Sequence, residues 1–403
     1  MCLRSSRCRI CAHEFRSPAL ALGHLPVCNR FTSFGDAKAE LELDVVECSA
    51  CQLIQLRNVP SVDTLIPTVP WIRYREPEGH LDALVHQILT LHPNARTACG
   101  TGPFEEPLLS RLAEHSLDTH ALGLDVAPIE GRYPYLESWQ ASINAPRLAK
   151  IGARYGTFDI VSCRYILEHS PEPVIALVAL KQLLNPRGLL LIEVPDSSKF
   201  LAARDYCWLW EEHSSYFVED TLRRLVDTAG YNMCALLRYP GVLEDALVAV
   251  LQARDSPGSG RSSAILGSSS LFQAYREAFI PTRKVFREKL TKAAGPARDR
   301  IALFGIGHHA IMLVNAFALT DLIALAVDDD PDKAGFFPPG FHIPVVSSEF
   351  LLADEHIGLC LFAIAPHIES KVLDKLSPLA ARGVEFRSIY AARDNSIMKD
   401  RAL

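Results

Sequence analysis

Residues 210–217, Trp-Glu-Glu-His-Ser-Ser-Tyr-Phe, set two carboxylates and an imidazole between a tryptophan and a tyrosine–phenylalanine pair. Histidine titrates near neutrality, and aromatic neighbours keep water away from it, so such a stretch suits the removal of a proton from a weak carbon acid. Four of the eleven cysteines form two Cys-x-x-Cys pairs, Cys8/Cys11 and Cys48/Cys51. Each pair puts two thiolates on one tight turn, and two turns complete a tetrahedral shell around Zn²⁺ with no open position, so a structural metal is expected. The 36 residues between Cys11 and Cys48 exceed the usual ribbon spacing. Cys28, His13 and His24 are read as bystanders in the same module.

A third constellation, Ala-Cys-Gly-Thr-Gly-Pro-Phe-Glu-Glu at 98–106, follows a strand pattern and opens a helix pattern. Gly100 and Gly102 would let a ligand approach the backbone. Asp125, twenty-five residues after Gly100, ends the next strand pattern, where a carboxylate accepts hydrogen bonds from ribose hydroxyls. No third glycine follows to complete a dinucleotide fingerprint, which directs the reading to S-adenosylmethionine, whose methionine moiety carries no phosphate. Past the strand that Asp159 begins come Arg164, Glu168 and His169, at the edge of a sheet where ligands bind. Arg164 is assigned to the cofactor, while Glu168 and His169 fit a helix start as well as a ligand contact.

Elements must hold these groups in place. Residues 1–60 lack helical periodicity and read as a zinc-binding module. Residues 61–253 alternate helix and strand patterns, with a helix closed by Gly230 and a last strand near 245–252, which predicts a parallel, doubly wound α/β sheet. Gly and Ser crowd 254–270, a linker that leads into a helical connector to 299, where Pro281 predicts a kink or break. Residues 300–403 form a second Rossmann-like unit, opening on Gly305 and Gly307 with His308 and His309 behind them.

Composition removes several classes of function. With 41 basic against 47 acidic residues, the chain has no basic excess for a phosphate backbone, so nucleic acid is not an expected partner. The apolar runs reach strand length and stop well short of the roughly 20 residues that span a bilayer. No signal-type core follows Met1, so a cytoplasmic location is expected.

The order of a four-cysteine module, "RYILEHSPEP", "IEVPD", "EEHSSYF", and a run from Asp328 or Asp329 through Lys333, Gly335, Pro339, Gly340 and Pro344 resembles the nucleotide-sugar C-methyltransferases of deoxysugar biosynthesis. The resemblance covers nearly the whole chain. It implies a class I S-adenosylmethionine-dependent methyltransferase fold, with a zinc module before it and a Rossmann-like domain after it. It makes His213 the base beside a sugar 4-keto group and Glu212 its helper; Ser215, Tyr216 and Phe217 end the motif. Trp210 stands where the family has tyrosine, and Ala98 and Phe104 replace its acidic residue and third glycine. Tyr216, His308 and Lys333 are assigned to a nucleotide-sugar substrate. O-methylation of another polar metabolite, or a scaffold without catalysis, keeps the same fold. The sequence leaves the oligomeric state open.

Overall fold

The computed structural model describes residues 3–4, 6–34, 40–66, 69, 71, 74, 76–122, 143–254, 271–294 and 300–399. The segment before Pro60 forms strands β1 (Leu3–Arg4), β2 (Leu20–Pro26), β3 (Glu40–Glu47), β4 (Ile54–Leu56) and β5 (Asn58–Val59). β2, β3 and β4 pair antiparallel in sequence order, and the turn from β3 to β4 carries Cys48 and Cys51. From Glu40 to Val45 the residues of β3 alternate between more open and buried positions, the period of a strand with one face on a core.

The central unit is a six-stranded sheet. β6 (Thr97–Gly100), β7 (Asp118–Ala121), β8 (Phe158–Arg164) and β9 (Leu184–Asp196) run parallel. β11 (Tyr231–Tyr239) and β12 (Asp245–Ala253) add an antiparallel hairpin at the β9 edge, so the spatial order is β11-β12-β9-β8-β6-β7. The sequence predicts an all-parallel sheet here and misses β11. The short 240–244 connection explains the difference, because two strands joined by a hairpin loop can only be antiparallel.

Both faces of this sheet are buried. Leu189 and Leu191 of β9, with Val248 and Val250 of β12, face helices α1 (Leu81–Leu91) and α2 (Glu106–Glu114). Leu190, Ile192 and Val194, with Leu247, Ala249 and Leu251, face α3 (Ala145–Tyr155), α4 (Pro173–Leu180) and α5 (Glu219–Thr228). Alternate residues feeding two helical layers produce the near-continuous apolar runs of these strands.

Helix α6 (Leu271–Ala294) runs on through Pro281, where the sequence predicts a kink or break. Phe272, Tyr275, Phe279, Phe286 and Leu290 recur along it and are all buried, and this continuous apolar stripe outweighs the backbone donor lost at the proline. A five-stranded parallel sheet follows: β13 (Arg300–Phe304), β14 (Ile323–Val327), β15 (Val345–Val346), β16 (Ile357–Phe362) and β17 (Glu385–Ser388), ordered β15-β14-β13-β16-β17. One apolar core joins this unit, α6, the amino-terminal strands and residues 200–210. Among the described residues no helix is long and apolar enough to cross a membrane.

Candidate active site

The stretch 206–217 lies where these parts meet. A 3-10 turn covers Tyr206–Trp208, and Ser215–Tyr216 form a short strand, β10. β10 pairs antiparallel with β4 of the amino-terminal module, Ser215 opposite Gln55 and Tyr216 opposite Ile54. The zinc module therefore holds one end of the stretch. The Sγ atoms of Cys8 and Cys51 lie 3.3 Å apart, those of Cys11 and Cys48 lie 3.5 Å apart, and all four fall within 4.8 Å of one another. A Zn–S bond of about 2.3 Å sets tetrahedral sulfurs about 3.8 Å apart, so the four thiolates fit a structural zinc ion. Hydrogen bonds from Cys48 and Cys51 already hold the Cys8 thiol well below the usual thiol range. Cys28 stands apart from them, against Glu211: its backbone N–H donates to Oε1 at 2.5 Å and its thiol to Oε2 at 3.4 Å.

His213 sits in the turn before β10, where its N–H donates to the Trp210 carbonyl at 3.3 Å. Around it stand Trp210, with ring centroids 5.1 Å apart, and His169, edge-on at 4.8 Å. Trp210 stacks on His308 at 4.1 Å with the planes 13° apart, and His308 contacts His309 at 3.8 Å. His309 Nδ1 lies 3.0 Å from the Tyr390 hydroxyl. Tyr216 braces the wall by accepting the Trp210 N–H at 2.7 Å and donating to the Trp210 carbonyl at 3.1 Å. Burial, then the neighbouring His169, holds His213 well below the usual histidine range. Burial likewise takes His169 and His309 down to about 3. At neutral pH these imidazoles carry no charge, and each keeps a lone pair that can take a proton.

The structure adds a residue that the sequence pattern does not reveal. Tyr74 donates from its hydroxyl to Glu212 Oε2 at 2.9 Å and lies 5.7 Å from the Trp210 ring. It places a phenol beside Trp210. A lone tyrosine 138 positions from its partner gives no periodic or motif signal.

The glycine loop leaves β6 at the carboxyl edge of the parallel strands, where open α/β sheets bind ligands. A Cβ on Gly100 would sit 2.3 Å from Glu105 Cβ, and one on Gly102 would sit 3.1 Å from Ile166 Cγ1. Only glycine leaves room for Glu105 to fold under the loop, its Oε1 accepting the Arg164 N–H at 2.9 Å. The loop thus keeps a thin backbone wall toward the sheet edge, which fits S-adenosylmethionine. Through Ile166 it also touches the connection that carries Glu168 and His169. Asp125 lies outside the described residues.

Arg164 and Lys333 take up places the sequence reading did not assign them. The Arg164 guanidinium is buried, with Nε 2.5 Å from Glu193 Oε2, and it donates to the carbonyls of Phe104 at 2.6 Å and Pro77 at 3.1 Å. His80 Nε2 lies 2.8 Å from the other Glu193 oxygen. Burial alone would raise Glu193, but the close contact with His80 and the charge of Arg164 bring it below the usual carboxylate range. Arg164 therefore braces the loop from behind. Lys333 is also buried, donating to the Ile306 carbonyl and to Asp328 Oδ2 at 2.9 Å each. Asp328 Oδ2 in turn accepts the Ile306 N–H at 2.9 Å. The carboxyl-terminal glycine turn is closed on its own lysine and aspartate, and it offers the site His308 and His309 from the start of α7 (His308–Ala316).

Three family models match the chain: a zinc binding domain over residues 8–65, a methyltransferase domain over 97–236 and a C-methyltransferase C-terminal domain over 262–389. The C-methyltransferase NovU of Streptomyces niveus is 26% identical over 240 residues, 55% of each chain. The chain thus spans about half the length of this curated relative. Among solved structures, similarity extends to the 1,6-didemethyltoxoflavin-N1-methyltransferase of Burkholderia thailandensis (15% identity, TM-score 0.31, 44% of this chain and 80% of that one). It extends also to the magnesium protoporphyrin IX methyltransferase of Synechocystis PCC 6803 (14% identity, TM-score 0.31, 44% and 83%).

Proposed function

We propose that the chain, which matches a zinc binding, a methyltransferase and a C-methyltransferase C-terminal domain in turn, is an S-adenosylmethionine-dependent C-methyltransferase that methylates the carbon beside the ketone of a nucleotide-linked keto-deoxysugar. The observation that carries this reading is the placement of Trp210 and His169 around His213, with His308 stacked on the Trp210 ring and Tyr74 hydrogen-bonded to Glu212 beside it.

His213, neutral at pH 7, takes the α-proton, and the electron pair of the broken C–H bond moves into the enolate. The Tyr74 hydroxyl, oriented by Glu212, is the donor nearest the growing oxyanion in this reading and replaces the phenol that Trp210 lacks. Trp210 and His308 form a flat stacked wall that excludes water, and Tyr216 holds that wall in place. Gly100 and Gly102 bring the loop backbone up to the cofactor, with Asp125 assigned to its ribose. S-adenosylmethionine supplies the electrophilic methyl group that the enolate carbon takes up. Arg164 and Lys333 act here as braces of their loops.

Reaction with S-adenosylmethionine bearing a ¹³C-methyl group and a panel of nucleotide keto-sugars tests the proposal. A product whose labelled methyl couples to a ring carbon in the NMR spectrum is expected. A methyl carried on oxygen, or a folded, zinc-loaded chain that binds no S-adenosylmethionine, overturns it.

A further inference from the structure

The turn after β8 brings Glu168 and His169 against His213, and one carboxylate oxygen and two ring nitrogens from these residues lie within 4.8 Å of one another. We propose that this triad is a second metal site, taking a divalent cation of the Zn²⁺, Co²⁺ or Fe²⁺ type, and that an ion bound there withdraws His213 from use as a base. The inference shares His213 with the proposed reaction but stands on the geometry of the triad.

Two imidazoles and a carboxylate are the donor set of those metals and not of Mg²⁺ or Ca²⁺, which take oxygen. Ring placement agrees. A metal–nitrogen bond of about 2.0–2.1 Å and a ring radius of about 1.1 Å, at angles of about 90–110°, separate two ligand rings by about 4.5–5.2 Å. The His169 and His213 centroids are 4.8 Å apart, with the planes at 87°.

The surroundings look built for the purpose. Glu168 is 2% exposed, and its buried Oε2 has no hydrogen-bond partner, so this carboxylate beside the two imidazoles keeps an unused acceptor. The His169 ring hydrogen-bonds the Glu212 backbone, the outer contact that fixes a ligand's tautomer and turns its other nitrogen inward. The single Ser214 hydroxyl proton is shared between the carbonyls of Ser170, at 2.5 Å, and Glu168, at 3.0 Å, tying the segment with His213 to the one with Glu168 and His169.

Titration of the full chain, its four-cysteine zinc in place, with Co²⁺ tests the site through the visible spectrum and through metal content after gel filtration. One Co²⁺ per chain is expected, with the weak bands of nitrogen and oxygen ligation and without thiolate charge transfer. Glu168→Gln and His169→Asn should each weaken it by at least about the 10- to 100-fold that loss of a mere outer contact costs. Retained cysteine-bound zinc in those variants reports that they are folded. No Co²⁺ beyond the cysteine site, or a second equivalent that both variants keep at full affinity, overturns the proposal. The readout uses no substrate, so failure of the methylation reading would leave this result intact, and the reverse.

Discussion

Replacing Arg164 with methionine separates a brace from a cofactor ligand. The side chain is 1% exposed and makes an ion pair with Glu193 and two hydrogen bonds to carbonyls of the flanking loops. Glu76, Glu105 and Glu193 all feel its charge. Burial already pushes Glu76 up to about 7, so without the guanidinium this group of carboxylates would face a low-dielectric interior with only His80 beside it. Removing one partner of a buried ion pair costs about 3–5 kcal/mol. For a unit of this size about 1 kcal/mol moves the midpoint by roughly 2–4 °C, so Arg164→Met should lower Tm by about 6–20 °C. Arg164→Met combined with Glu193→Leu removes both charges and should recover part of the loss. Thermal unfolding followed by circular dichroism, alongside calorimetric titration with S-adenosylhomocysteine, gives both readouts. A Tm shift below about 2 °C together with abolished cofactor binding would refute the brace and return Arg164 to the ligand.

Acid should weaken the fold through the buried imidazoles. His309, held down to about 3 by burial and by His213, is neutral in the folded chain, whereas the unfolded chain protonates it below about pH 6.5. Stability from this group is therefore complete above that pH and falls as pH drops toward 3, by about 1.4 kcal/mol between about pH 7.5 and 5.5. Urea midpoints of wild type and His309→Asn should converge over that interval, and a constant difference would contradict the assignment. Tyr74→Phe should lower kcat by about tenfold or more with little change in KM, since the phenol acts on the developing charge; a KM effect alone would make it a binding group. Chelating the zinc should loosen the β4–β10 pairing along with the cysteine turns, seen as faster amide exchange at Ser215 and Tyr216. Unchanged exchange there would disconnect the metal from the site.

Local signals carried much of this architecture into the sequence. The cysteine pairs are legible because each is a three-residue spacing on one turn, and the helices and central strands because their apolar periods repeat over several residues. The His213 stretch stands out by composition, although only its resemblance to a known motif assigns the base. What stays hidden is long-range. Tyr74 meets Glu212 across 138 positions, and two-residue β10 becomes a strand only because β4 offers it an edge. β11 has a mixed pattern of half-buried residues and little alternation to read. Arg164 and Lys333 carry the charges expected of ligand contacts, and their partners are backbone carbonyls and carboxylates that no motif announces.

Deuterium wash-in tests the central claim, with the S-adenosylhomocysteine-bound enzyme and a nucleotide keto-sugar in D₂O, so that no methyl can be transferred. If His213 is the base, wild type should exchange the α-proton, and folded His213→Ala should exchange it about 10²–10⁴-fold more slowly. Exchange at the wild-type rate in that variant would place the base elsewhere and contradict the account.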